Sequence, residues 1–226
     1  DLHPQRVGLA RHRAADAPDP DDADGLDLMA PHRLQQPEVP GALFDEVVGA
    51  RDLARGRVMA ARHDIERAYG SYEALLADPG VDAVYIPLPN HLHAEWTLAA
   101  ARAGKHILCE KPLAMTAADA ERMVAGCEAE GVILMEAFMY RLHPSWVAVR
   151  ELIASGRIGR LTAVQSWFSY FNDDAANIRN IREVGGGALY DIGCYNVNLS
   201  RMLFGSEPTG VSAAITRDPV SGVDVL

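Results

Sequence analysis

"DAVYIPLPNHLHAEWTLAAARAGKHILCEKP", residues 82–112, is the stretch from which the fold of this chain is read. It begins with a β-branched, apolar run, "AVYIP", and is then interrupted by prolines. "HAEWTLAAARAG" repeats apolar residues at helical spacing and ends on Gly104, a natural C′ residue. "HILCE" follows as a second strand. A strand, a helix and a strand at this spacing imply a parallel βαβ unit. The pattern continues on both sides. Upstream, "EVVGA" precedes the helical stretch LARGRVMAARH, with Asp52 as its N-cap. Ser71 then opens a short helix, YEALLA, that stops at the turn Asp78-Pro79-Gly80. Downstream, Thr116 caps AADAERMVAGCEAE, which ends at Gly131, and "VILME" is the next strand. The reading is α/β, a doubly wound parallel sheet.

The rest of the chain has a different texture. "SWVAVRELIAS" reads as a helix, "LTAVQSWFSYF" and "TGVSAAITRD" read as strands, and ALYDIGCYNVNLSRMLFG, after Gly185-Gly186-Gly187, reads as a helix closing at Gly205. Mixed elements of this kind suggest an α+β domain with a mostly antiparallel sheet over residues 141–226, after a Rossmann-like domain over 46–140. Residues 1–45 fit neither. They hold six of the thirteen prolines, and six aspartates fall between positions 14 and 27. Such a segment buries too little apolar surface to offset chain entropy, so poor order is expected there.

The composition narrows the function. A formal charge of -10 argues against nucleic acid or an anionic membrane as partner. No apolar run reaches the roughly 18 to 20 residues that span a bilayer. Three widely spaced cysteines, Cys109, Cys127 and Cys194, suit free thiols in a reducing cytoplasm.

In an open parallel sheet, ligands bind beyond the carboxyl ends of the strands. The segment from Pro87 to His93 and the segment Glu110-Lys111-Pro112 both fall there. Lys111 stands out, because the chain uses nineteen arginines and only two lysines. Asp191 and Tyr195 are four apart and share a helical face. Each has a plainer reading: a solvated ion pair at Glu110 and Lys111, a core or rim tyrosine, a glycine loop. His91 and His93 lack the companions of a metal site. The aromatic run at Trp167, Phe168, Tyr170 and Phe171 reads as sheet packing.

Taken together, "AVYIPLPNHLHAEWTLAAARAGKHILCEKPLAM", "EAFMYRLHP" and "GGGALYDIGCY" resemble the glucose–fructose oxidoreductase, inositol dehydrogenase and MocA-type family. The likeness is nearest to its dimeric dihydrodiol dehydrogenase and NADP-dependent sugar (xylose) dehydrogenase branch. The resemblance implies hydride exchange between NADP (or NAD) and the carbinol carbon of a sugar or trans-diol, in an enzyme that can form a homo-oligomer. It assigns Lys111, Asp191 and Tyr195 to catalysis. It assigns Arg51, Pro87, Asn90, Glu110 and Lys111 to the cofactor, with Asn177 and Arg179 near the site. A lysine ammonium would lower the pKa of the tyrosine phenol and orient the substrate oxygen.

Two departures stand beside the resemblance. No G-x-G-x-x-G turn is present to meet a pyrophosphate. The second domain of the family runs on for about another hundred residues, so a truncated α+β domain is expected. Two other readings therefore stay open. One is a non-catalytic member that keeps the catalytic residues by descent. The other is a redox-neutral NAD-dependent glycosidase or lyase.

Overall fold

The computed structural model of the protein describes residues 28–32, 45–49 and 53–225. Arg51, with Ala50 and Asp52, lies outside the described residues, as does most of the segment 1–45. Six strands form one sheet: β1 (Leu28–His32), β2 (Asp45–Gly49), β3 (Arg67–Tyr69), β4 (Ala83–Ile86), β5 (His106–Cys109) and β6 (Leu134–Glu136). Their order is β3-β2-β1-β4-β5-β6, the order of a doubly wound dinucleotide-binding sheet. β2 runs parallel to β3, and β4, β5 and β6 run parallel to one another. β1 is antiparallel to both of its neighbours. That reversal was not legible, because the sequence around residues 28–32 shows no strand–helix–strand pattern from which a βαβ unit could be read.

The helices of this half are α1 (Leu53–Arg62), α2 (Tyr72–Leu76), α3 (His93–Arg102) and α4 (Ala117–Ala129). Their starts follow the sequence reading. The Ser71 hydroxyl accepts from the Ala74 amide at 3.1 Å, and the Thr116 hydroxyl accepts from the Asp119 amide at 3.1 Å. α3 ends where Gly104 takes φ +73°, a backbone state that costs little only without a Cβ. The core lies between β4, β5 and the helices. Leu75, Ile86, Val84, Ile107, Cys109, Met123 and Cys127 are all at most 2% exposed there. Burial of such side chains stabilises the fold by about 1.5–3 kcal/mol each. Lys105, one of the two lysines, is buried in this half and donates to the Asp78 carbonyl at 2.8 Å.

The second half contains α5 (Pro144–Ala154) and α6 (Cys194–Phe204). A π-helical turn, Leu189–Gly193, leads into α6 in place of the continuous α-helix that the apolar spacing predicts. The two strand readings in this half are corrected. Residues 161–171 and 209–218 enter no ladder, and only an isolated bridge joins Arg217 to Asp224. Their β-branched and aromatic residues supply propensity, but a strand also needs a partner to take its amides and carbonyls. Among the described residues no helix is long and apolar enough to cross a membrane.

Candidate active site

The loop after β5, residues 110–115, is held by side chains from several elements. On the sheet side, the Tyr85 hydroxyl donates to Glu110 Oε1 at 2.5 Å. The Leu113 amide donates to Glu136 Oε1 at 2.8 Å. The fully buried His93 ring sits between the carbonyl oxygens of Pro112 (Nδ1, 2.9 Å) and Leu88 (Nε2, 2.6 Å), joining this loop to the one after β4. From the second half, the Tyr190 hydroxyl donates to the Met115 carbonyl at 2.5 Å. His91 is exposed. No group of three His, Cys, Asp or Glu among the described residues is arranged to hold a metal ion.

Lys111 crosses from this loop to the π turn. Its Nζ donates to the Asp191 carbonyl at 2.5 Å and lies 3.4 Å from Asp191 Oδ1, with both side chains about 15% exposed. Arg179 Nε donates to the same Oδ1 at 3.0 Å, and the Tyr170 hydroxyl donates to Oδ2. Burial acts to raise the Asp191 carboxyl. The Tyr170 hydrogen bond and the charges of Arg179 and Lys111 outweigh it and hold the group below its ordinary pKa. Asp191 is therefore a fixed anion.

Tyr195 stands beside this cluster. The Lys111 ammonium lies 5.0 Å from the centre of the Tyr195 ring, against its face, while the Tyr195 hydroxyl reaches Met139 Sδ at 3.6 Å. Burial, with the Glu110 charge next, pushes the phenol up to about 12. The expected lowering of the phenol by the lysine is thus absent in this arrangement. The ammonium lies over the ring and gives its hydrogen bonds to Asp191, not to the phenol oxygen.

These residues line one cleft of ≈ 770 Å³ that includes Tyr85, Pro87, Asn90, Glu110, Lys111, Asp191 and Tyr195. Every sequence candidate among the described residues reaches it; Arg51 alone stands outside them. Asn177 and Arg179 also line it, together with Phe168, Tyr170 and Phe171. That corrects the aromatic run: Phe171 is 86% exposed and Phe168 51%, and with no sheet to pack in they form a wall of the cleft. Asn90 faces the glycine run, and its Nδ2 donates to the Gly185 carbonyl at 2.9 Å. A Cβ on Gly185 would meet Met115 Sδ at 2.4 Å and Asn90 Cβ at 2.8 Å. One on Gly186 would meet the Arg179 and Ile181 carbonyl oxygens within 2.7 Å. The glycines let the chain close on itself at the cleft.

Tyr85 and Tyr170 were missed from the sequence. Tyr85 follows the strand alternation, which places it on one face of the sheet without saying that Glu110 comes within reach. Tyr170 sits in a run whose composition signals packing.

The cleft offers both apolar and polar surface to a ligand. Pro87 and Leu88 give it an apolar floor, and Glu110 and Lys111 give polar groups at the carboxyl end of β5. Comparisons with known proteins identify the family. Residues 35–138 match the GFO_IDH_MocA oxidoreductase family, NAD-binding Rossmann fold, and residues 146–225 match the GFO/IDH/MocA C-terminal domain. The chain belongs to this family of oxidoreductases. It is 48% identical over 179 residues to an uncharacterized oxidoreductase of Rhizobium meliloti, covering 79% of this chain and 54% of the relative. It is 48% identical over 178 residues to D-xylose 1-dehydrogenase (NADP(+)) 2 of Haloferax volcanii, covering 78% and 54%. Among solved structures it resembles KijD10, a 3-ketoreductase from Actinomadura kijaniata in complex with NADP and TDP-benzene. The TM-score there is 0.73 at 37% identity, over 79% of this chain and 55% of the other. The chain spans about half the length of the relatives it matches.

Proposed function

We propose that the chain acts as an NAD(P)-dependent oxidoreductase on the carbinol carbon of a sugar or trans-diol. The observation that supports this reading most is the meeting of Lys111, Asp191 and Tyr195, remote in sequence, on one cleft. Pro87, Asn90, Glu110 and Lys111 would hold the nicotinamide end of NADP or NAD, and Arg51 is assigned to the adenosine end by resemblance. When bound, the nicotinamide supplies the acceptor or donor of the hydride. Lys111 retains N–H capacity beyond its bond to Asp191 and orients the substrate oxygen. Tyr195 holds the proton that joins or leaves that oxygen, since hydride exchange at a carbinol requires a proton to move as well. Phe168 and Phe171 give the substrate side of the cleft an apolar wall. A cytoplasmic location accompanies this reading, supported by three free cysteines. Self-association accompanies it too, supported by the exposed Val211 and Ile215.

A second reading, a non-catalytic member of the family, is favoured by one observation. β1 sits at the centre of the sheet antiparallel to both neighbours. A phosphate-binding strand, turn and helix would run parallel there. One experiment separates the two. The purified chain is titrated with NADP and NAD while its melting temperature is followed, and turnover is then assayed with aldoses and trans-diols. At about a hundred times Kd, binding contributes roughly 2.7 kcal/mol, enough to raise the melting temperature by several degrees. A melting temperature unmoved at millimolar cofactor would refute the first reading.

A further inference from the structure

We infer that Tyr170 is a positioning residue. Together with Arg179 it occupies both carboxylate oxygens of Asp191, and so holds the Lys111 ammonium on the Asp191 main-chain carbonyl rather than in a closed ion pair. The effect on turnover rests on the function proposed above; the geometry does not.

An ammonium has three N–H donors, and a carboxylate has about four acceptor positions on two oxygens. Left alone, a lysine and an aspartate at low exposure draw together, and the pair takes up one or two of the ammonium's donors. That closure has not happened here. Lys111 Nζ is 2.5 Å from the carbonyl oxygen of Asp191 but 3.4 Å from Oδ1, at the edge of hydrogen-bond range. Oδ1 is held instead by Arg179 Nε at 3.0 Å, and Oδ2 is held by the Tyr170 hydroxyl. The two donors approach from different parts of the chain and fix the rotation of the carboxylate between them. Oδ2 cannot turn toward Lys111 without losing the Tyr170 bond inside a side chain only 15% exposed.

The π turn supplies the other half of the arrangement. A turn closed from residue i to i+5 is wider than an α-turn, and here the Cys194 amide reaches back to the Leu189 carbonyl. Within that turn the Asp191 carbonyl accepts from the Cys194 thiol at 3.7 Å and, from across the cleft, from Lys111 Nζ at 2.5 Å. Tyr170 itself comes from residues 161–171, which enter no ladder, so its hydroxyl bond to Asp191 is one of the few contacts fixing this segment at the cleft. Its ring lines the same cleft as Lys111 and Tyr195.

The test is Tyr170→Phe, which keeps the ring and removes the donor. Because the chain has only two lysines, labelling with [13C,15N]-lysine gives two side-chain sets, with Lys105 as the internal control. The expected result is a moved Lys111 Nζ resonance, an unmoved Lys105 resonance, and a kcat about tenfold lower with little change in the KM for NADP, in keeping with one lost hydrogen bond to a charged group. In an Asp191→Asn background the same change should have no further effect on either readout. An unmoved Lys111 resonance in Tyr170→Phe, or an equal shift with and without the Asp191 carboxylate, would overturn the inference. If the wild-type chain showed no turnover, the resonance and its dependence on Asp191 would still decide the matter.

Discussion

The two halves of the molecule are held by different forces. From Tyr72 to Phe138 the chain buries a continuous aliphatic core, with Leu75, Ile86, Met123 and Cys109 at 0% exposure and parallel ladders above them. From α5 onward Val223, 3% exposed, is the one buried apolar side chain among the described residues, whereas Trp167, Phe171, Val211 and Val220 are each more than 80% exposed. The second half is joined to the first by aromatic contacts of Phe138 and Tyr140 with Tyr195 and by a set of directional hydrogen bonds. These run from Lys111 to Asp191, Asn90 to Gly185, Tyr190 to Met115 and Tyr140 to Asn198. Apolar burial is strong but without direction, and hydrogen bonds are modest in net energy but exacting in geometry. The candidate site lies at the seam, where directional contacts of the second kind join the halves.

The sharpest way to break this contrast is at the seam itself. Lys111→Ala should lower the rate of hydride transfer by about a thousandfold, within the usual range for a group that assists proton transfer and orients substrate. The melting temperature should fall only modestly, because Lys111 lies outside the apolar core and contributes one hydrogen bond between the halves. A steady-state assay beside a thermal melt checks both halves of that expectation.

Equal truncations on either side of the seam give the next effect. Met123→Ala empties a fully buried site and should cost about 2–5 kcal/mol in a urea unfolding curve. Ile215→Ala, at a residue 54% exposed, should fall within about 0.5 kcal/mol of wild type. Comparable losses at the two positions would show that the second half has a core of its own.

The smallest effect is in alkaline titration. Tyr195 and Tyr170 are both pushed up to about 12, by burial in each case, followed by the Glu110 charge for Tyr195 and the Asp191 bond for Tyr170. The unfolded chain releases these protons near the ordinary value of 10, so the folded state binds more protons between about pH 10 and 12. Stability from these groups is therefore complete below about pH 10 and is lost as pH rises toward 12. Spectrophotometric titration should show tyrosines still un-ionised above pH 11, one fewer in Tyr195→Phe. An unchanged count would mean that the phenol at 195 is not held in this environment.

Much of the first half was legible because its signals are local. The capping hydroxyls of Ser71 and Thr116, the left-handed Gly104 and the strand–helix–strand spacing of residues 82–112 all depend on neighbours a few positions away. The second half was read less well for the same reason. Residues 161–171 have the composition of a strand, but whether they form one depends on a partner that propensity does not specify. The antiparallel course of β1 and the π turn at Leu189–Gly193 are likewise set by what the chain meets, not by its period.

By itself, the amino-acid sequence determined the α/β class, the helix boundaries and a set of candidate residues at the carboxyl ends of β4 and β5, because periodicity and capping are properties of contiguous residues. Only the tertiary structure decided that Lys111 rests on a main-chain carbonyl, that Tyr170 and Arg179 share the Asp191 carboxylate, and that the Tyr195 ring, not its oxygen, faces the ammonium. Those are distances between groups far apart in the chain. They are set by how the sheet, the loop after β5 and the π turn close on one another.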